Sequence, residues 1–421
     1  MTAERASVLC GSASLTETQL RARAASFSPE DVRGRIVPVL DADRIGALAS
    51  ALAVRSLGGI PLVADDRWDS EYRAGLRALA GDDPLPGTAW ATFSSGSSGS
   101  PRVILRSEQS WSASFAAVTD LLDLGIRDAV YLPAPLASSL SLFSVAHARC
   151  VGAAILLPRT HSVCPADLAH ATVLHGTPHA LRAVVDTIDA GAGHRLRVAL
   201  VGGAHLDPAL RERAAARGIR VVSYYGAAEL SFVAVDADGS GFRPFPGVEA
   251  SVRDGELWVR SPYLASGYLG GASGALRRDD RGWATVGDLV EGGAAVTGGG
   301  PKGALRFRGR RDGAILTAAA TVVPEDVEAA LRGIDGIEDA VVFGVPNTGV
   351  GSLVAALVEM TPGRQRLSVH ELREQAGIRL TPSHVPRRWF WTDDLPRTTA
   401  GKPARARVRD AALNGEVERL A

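Results

Sequence analysis

The chain has 421 residues, of which 46% are hydrophobic and 22% charged, and its 46 basic side chains are balanced by 46 acidic ones. That length predicts two or three structural units around a large core. Zero net charge argues against a nucleic-acid or membrane-surface binder held by electrostatics. No apolar run reaches the roughly 18–20 residues that span a bilayer, and residues 1–14 show no basic-then-apolar leader pattern. Three cysteines in a chain this long (Cys10, Cys150, Cys164) point to a reducing compartment, so a cytoplasmic protein without a disulfide framework is expected.

Taken in order, residues 36–40, 42–57 and 60–63 read as strand, helix, strand. Residues 65–87 are polar and turn-rich, a short helix and a connection. From Trp90 to about Ser261 the alternation of strand and helix continues. The clearest unit is a strand at 197–201, a helix with Asp207 at its N-cap, Pro208 at its first position and Gly218 beyond its end, and a strand at 221–225. Repetition of this unit predicts a large α/β domain with a mostly parallel sheet. Residues 242–307 change to short apolar segments between Gly and Asp, the pattern of antiparallel hairpins. From about Arg310 a smaller α+β unit is expected: a helix from Pro324 to Leu331 stopped by Gly333, strands at 340–343 and 354–358, a helix from a Ser368/Glu371 capping box to about Gln375, and a last strand at 388–391.

The chain carries only two lysines, Lys302 and Lys402, and only two asparagines, Asn347 and Asn414. Such a bias replaces Lys by Arg wherever the physics permits, so each remaining lysine draws notice. The most distinctive loop is Thr92-Phe93-Ser94-Ser95-Gly96-Ser97-Ser98-Gly99-Ser100-Pro101-Arg102. Its small residues let backbone N–H groups and hydroxyls converge on an anion. It lacks the Lys-Ser/Thr ending of a Walker loop. Composition alone would also allow a flexible linker, but an apolar strand leads into the loop and Val103-Ile104 follow it.

This segment resembles the phosphate-binding loop of the adenylate-forming superfamily of acyl- and aryl-CoA synthetases, nonribosomal-peptide adenylation domains and luciferases, with Arg102 where the family has lysine. Further segments match in the family's order: Gly202-Gly203-Ala204; Tyr225-Gly226-Ala227-Ala228-Glu229; Trp283-Ala284-Thr285-Val286-Gly287-Asp288, with one extra residue before its glycine; Gly309-Arg310-Arg311-Asp312-Gly313; Pro324-Glu325-Asp326-Val327-Glu328; and Leu395-Pro396-Arg397-Thr398-Thr399-Ala400-Gly401-Lys402.

The resemblance implies an N-terminal domain, residues 1–309, that binds ATP and acid, and a C-terminal lid, residues 310–421, that rotates about a hinge at Asp312. It implies activation of an aliphatic or aryl carboxylic acid to acyl-AMP with release of pyrophosphate. Transfer to a thiol follows, CoA being preferred over the phosphopantetheine of an acyl carrier protein. Lys402 would be the catalytic cation and Glu229 the Mg²⁺ ligand. ATP and AMP would be held by Ser94, Ser95, Gly96, Ser97, Ser98, Gly99, Arg102, Gly203, Ala204, Tyr225, Gly226, Ala227, Asp288 and Arg310. Within that set, Tyr225 would stack on adenine and Asp288 would accept the ribose hydroxyls. Ser138, Ser139, Leu142 and Gly202 would line the acyl pocket. No nucleic-acid or membrane partner is implied.

Read without the resemblance, the same residues have plainer roles: Glu229 a surface or capping carboxylate, Asp288 a turn residue, Tyr225 a core aromatic, Arg310 an exposed ion-pair partner, Lys402 a solvated lysine. Gly298–Gly303 formally fits a dinucleotide fingerprint, but Pro301 and the strand-like residues after it indicate a hairpin turn. His175 and His179 are separated by Gly176 and Pro178, and with His161 and Cys164 they make no recognised metal pattern. No nucleophile-elbow sequence is present.

Three departures from the family pattern stand out. The chain is shortened ahead of its phosphate loop, as are some short CoA ligases such as o-succinylbenzoate ligases. The stretch from Leu132 to Phe143 lacks an Asp that could meet an α-ammonium group, which disfavours an amino acid, and its small apolar residues favour an aliphatic or aryl acid. Ala228, Leu316 and Ala319 replace a common Thr, Lys and Gly. The last two bear on thiol transfer, and all three motivate a competing reading as a non-catalytic paralogue that binds nucleotide or acyl ligand.

Overall fold

The computed structural model describes residues 6–68, 73, 75–81, 83–93, 102–160, 162–204, 206–272, 274–291, 305–310, 315–316, 321–347, 351–381, 384–398 and 401–420. It is a mixed α/β molecule with a large N-terminal domain and a small C-terminal one.

Strands Ile36–Val39 and Ile60–Val63 lie parallel, joined by helix Arg44–Ser56, whose Asp43 N-cap accepts the Gly46 N–H at 2.7 Å. They open a five-stranded sheet completed by Thr88–Phe93, Val103–Ser107 and Gly267–Tyr268. A nine-stranded sheet runs Arg243–Pro244, Ser231–Asp236, Arg220–Ala227, Val198–Gly202, Val173–Gly176, Ala129–Tyr131, Ala154–Leu157, Ala6–Cys10, Ala13–Thr16. From Arg220–Ala227 to Ala6–Cys10 every neighbour is parallel. Such strands are buried on both faces, and Val198–Gly202 is buried at all five positions. The expected Asp207 cap and Pro208 start hold, with helix Pro208–Ala216 following.

The hairpin-rich stretch forms a six-stranded antiparallel sheet. In it Asp288–Glu291 pairs with Arg306–Arg310, and Asp288 stands opposite Arg310. In the C-terminal domain, strands Ile337–Asn347, Gly351–Met360, Arg388–Thr392 and Glu418–Arg419 form one sheet, with helices Pro324–Arg332, Val369–Arg379 and Arg405–Asn414. The Ser368/Glu371 capping box is present, and its helix continues past Gln375 to Arg379.

Helix Pro178–Asp189 is one place where the two domains meet among the described residues. Arg182 reaches Glu338 at 3.1 Å. A Cβ added to Gly401 would lie 3.3 Å from Thr177 Oγ1, at the N-cap of that helix. Among the described residues no helix is long and apolar enough to cross a membrane, and the three cysteines are free thiols.

Candidate active site

The site is built at the ends of two neighbouring parallel strands, Val198–Gly202 and Arg220–Ala227. In an open α/β sheet this end is where backbone groups and loops converge on a ligand. The first strand runs into Gly202-Gly203. Gly203 has φ +89°, a left-handed conformation that costs glycine little and other residues much. The stem of Lys402 lies directly over it: a Cβ at Gly203 would come 3.0 Å from Lys402 Cε and 3.7 Å from Nζ. Ala204 follows, exposed.

Lys402 is delivered by a tight turn in the C-terminal domain. Its N–H donates to Thr398 Oγ1 at 3.2 Å, its carbonyl accepts the Thr398 N–H at 2.6 Å, and Arg397 bridges to Pro403. Arg397 is itself clamped by Asp339 at 3.0 Å and Glu359 at 2.8 Å. The lysine predicted from its scarcity thus sits 199 residues along the chain from Gly203, yet against it.

Strand residues alternate between faces, and the second strand puts two adjacent tyrosines to different uses. Tyr225 donates its hydroxyl to Asp288, and its ring stacks on Phe307 with centroids 3.5 Å apart and planes 17° off parallel. Tyr225, Asp288 and Arg310, three of the residues expected at adenosine, are therefore brought together; Arg310 arrives as the cross-strand neighbour of Asp288. Phe307, which the sequence reading did not single out, covers one face of the Tyr225 ring. Tyr224 faces elsewhere, toward His175 and Phe232.

Glu229 follows Gly226 and Ala227 on the turn between Arg220–Ala227 and Ser231–Asp236, and it is buried. Its carboxylate accepts the Tyr268 hydroxyl at 3.0 Å, and the Tyr268 oxygen in turn accepts the Leu276 N–H at 3.1 Å. Burial and the neighbouring Glu229 push the Tyr268 phenol up to about 12. Arg102, which follows the serine–glycine loop in the chain, acts on the same phenol electrostatically in the opposite sense.

Arg106, wholly buried on strand Val103–Ser107, holds this turn from below. It donates to the Ala228 carbonyl at 2.6 and 3.1 Å and to the Tyr263 carbonyl at 2.8 Å. Burial pushes its guanidinium below the ordinary arginine range, and the Glu229 charge opposes that. An arginine directly after the apolar run Val103-Ile104-Leu105 is the available sequence signal for it.

Ser138 caps helix Ser139–Val151, its Oγ accepting the Ser141 N–H at 3.2 Å, and Phe93 N donates to the Ala137 carbonyl at 3.4 Å. This places the half-buried Ser138 and Ser139 beside the strand that leads into the serine–glycine loop. Leu142 is buried on the same helix. Residues Ser94 to Gly99, Asp312 and Ala319 lie outside the described residues, and Leu316 is in strand Ile315–Leu316. Thr92 Oγ1, just ahead of that loop, is buried without a hydrogen-bond partner among the described residues. His175 lies on a strand and His179 on a helix, and no group of three His, Cys, Asp or Glu that could hold a metal occurs among the described residues. A single buried carboxylate, Glu229, fits Mg²⁺, which commonly takes one or two protein oxygens and the rest from phosphate and water.

The sequence profile of the AMP-binding enzyme family matches residues 78–269, and that of the AMP-binding enzyme C-terminal domain matches residues 326–402. An uncharacterized acyl–CoA ligase of Bacillus subtilis, YhfT, is 26% identical over 361 residues, 78% of this chain and 71% of that protein. The long-chain-fatty-acid–CoA ligase FadD13 of Mycobacterium tuberculosis is 24% identical over 425 residues, 93% of this chain and 82% of that one. Among solved structures, o-succinylbenzoate CoA synthetase from Bacillus subtilis, bound to its acyl-adenylate, superimposes with a TM-score of 0.80 at 19% identity, covering 98% of this chain and 96% of the other.

Proposed function

The chain belongs to the adenylate-forming AMP-binding enzymes and is an AMP-forming acid–thiol ligase, and from that premise we propose how its residues divide the work. The carboxylate oxygen of the acid attacks the α-phosphorus of ATP; pyrophosphate leaves and acyl-AMP forms. A thiol sulfur then attacks the acyl carbon, and AMP leaves with the bonding electrons. The first step brings two anions together, so positive charge must already be in place where they meet. Lys402 supplies it, as a compact ammonium on a flexible stem. The observation that carries this reading is the lysine's position over Gly203.

Tyr225 offers the ring face not covered by Phe307 to adenine. Asp288 turns from the Tyr225 hydroxyl to the ribose hydroxyls, with Arg310 beside it. Arg102 and the serine–glycine loop, Ser94 to Gly99, take the phosphates, together with the backbone of Gly203, Ala204, Gly226 and Ala227. Glu229 holds Mg²⁺, which when bound neutralises phosphate charge. Ser138, Ser139, Leu142 and Gly202 line the way to the acid.

Thiol transfer requires that Lys402 leave. We place the boundary between residues 1–309 and 310–421, with Asp312 as the pivot. The rotation has to break the Gly401–Thr177 and Lys402–Gly203 contacts and the Arg182–Glu338 pair. A partly exposed ion pair contributes only about 0–1 kcal/mol, so this pair adds little to the barrier. CoA is the acceptor in this reading, with a carrier-protein phosphopantetheine as the alternative.

Exchange of labelled pyrophosphate into ATP that depends on added carboxylic acid is the expected result, with a CoA thioester detected by mass when CoA is present. Thioester formed only on a carrier protein would move the acceptor. Nucleotide binding without any exchange would favour the non-catalytic paralogue.

A further inference from the structure

We propose that the acid activated by this chain is compact, an aryl or short-chain carboxylic acid, and that Tyr224, tethered by His175 and Ser144, is the wall that sets the limit. The inference rests on the ligase reading above and concerns the size of its substrate.

The placement follows from two consecutive glycines. Lys402, which meets the reacting carboxylate, lies over Gly203. One residue back, a Cβ added at Gly202 would clash with the Tyr224 ring. An acid whose carboxylate lies at the ammonium therefore meets the phenol ring almost at once. Tyr224 is half-buried although its neighbours His175 and Phe232 are buried, as expected of a side chain that lines a recess.

Behind the ring, among the described residues, aromatic side chains pack one against the next. The Phe232 ring centroid is 4.6 Å from that of Tyr224, Phe143 is 5.0 Å from Phe232, and His147 is 5.9 Å from Phe143. Leu142, Phe143 and His147 are buried on helix Ser139–Val151. Close-packed aromatics do not part to admit an alkyl chain without losing that packing.

The wall is also fixed in place. Tyr224 Oη lies 3.1 Å from His175 Nε2, and His175 Nδ1 is hydrogen-bonded to Ser144 Oγ. Burial holds His175 at about 3 and His147 at about 4, so both imidazoles are neutral at pH 7.

The experiment compares benzoate, hexanoate, dodecanoate and hexadecanoate in acid-dependent pyrophosphate exchange. In the wild type, kcat/KM for the better of the first two is expected to exceed that for either long acid by at least about tenfold. Tyr224→Ala should raise the dodecanoate-to-benzoate ratio by about tenfold or more, and Tyr224→Phe, which keeps the ring, should preserve the wild-type ranking. Should the alanine variant not fold, Tyr224→Leu is read by the same ratio. A wild type that prefers hexadecanoate, or a ratio unmoved by Tyr224→Ala or Tyr224→Leu, overturns the size limit and leaves the ligase reading standing. No exchange with any of the four acids counts against the ligase reading and the size limit together.

Discussion

Tyr224 and Tyr225 are neighbours on one strand and serve two environments of opposite character. On the Tyr225 side the site is built from charge: Asp288, Arg310, Arg102, Glu229 and the buried Arg106. On the Tyr224 side it is built from neutral polar and aromatic groups, His175, Ser144, Phe143 and Phe232, and its two imidazoles are kept uncharged by burial. A nucleotide brings several charges that must be met. The body of an acid beyond its carboxylate brings none. One side should therefore fail when charge is taken away, and the other when charge is imposed.

The largest effect is expected at Arg106. Arg106→Leu strips the Ala228 and Tyr263 carbonyls of their donors, and each buried acceptor left unsatisfied costs about 1–3 kcal/mol. Urea unfolding should show that loss, and a change below about 1 kcal/mol would mean that the turn is held by something else. Lys402→Ala removes one preorganised cation and should lower acid-dependent exchange by about 10²–10³, or roughly 3–4 kcal/mol. Because it acts where the two sides meet, the loss should be the same for every acid; a loss confined to some acids would place the lysine on the acid side.

The neutral side answers to pH. The folded pKa values of His175 and His147 lie below the ordinary value of 6.5. Between those limits the unfolded chain binds more protons, so stability is full above about pH 6.5 and falls as pH drops below it. By pH 5 each imidazole should cost about 2 kcal/mol, read as a falling urea midpoint, and His147→Leu should flatten that fall. The most local effect belongs to Tyr268→Phe, which removes one hydrogen bond to a charged group. It should cost about 1.5–3 kcal/mol at most and weaken Mg²⁺ binding, followed by Mn²⁺ titration, without altering acid preference.

Much of this site was legible in the sequence because adenylate-forming enzymes write their charged residues into short local motifs. The Tyr225–Glu229, Asp288 and Lys402 segments each identify themselves within a few residues. Local signals also located the Asp207 and Ser368 caps. The acid side was not legible, since Ser144, His175 and Tyr224 meet only through packing and no short motif contains two of them. Sequence alone assigns the acyl pocket to Ser138, Ser139, Leu142 and Gly202, and it considers His175 only to set it aside as a metal ligand.

Elements were missed for similar reasons. The hairpin Ala6–Cys10 and Ala13–Thr16 adds to a sheet edge defined by Ala154–Leu157, far along the chain. Helix Arg405–Asn414 buries only Val408 and Ala412, one residue per turn, too thin a stripe to stand out. Strands Ile337–Asn347 and Gly351–Met360 run longer than their apolar centres because their polar ends pair with each other.

The most direct test is a crystal structure with a benzoyl sulfamoyl-adenosine, a stable stand-in for acyl-AMP. The adenine should lie against Tyr225, the phenyl ring should end at Tyr224, and the Lys402 ammonium should touch the linkage between them. A complex in which that linkage lies out of reach of Lys402, or the phenyl ring lies on the Tyr225 side, would contradict the account.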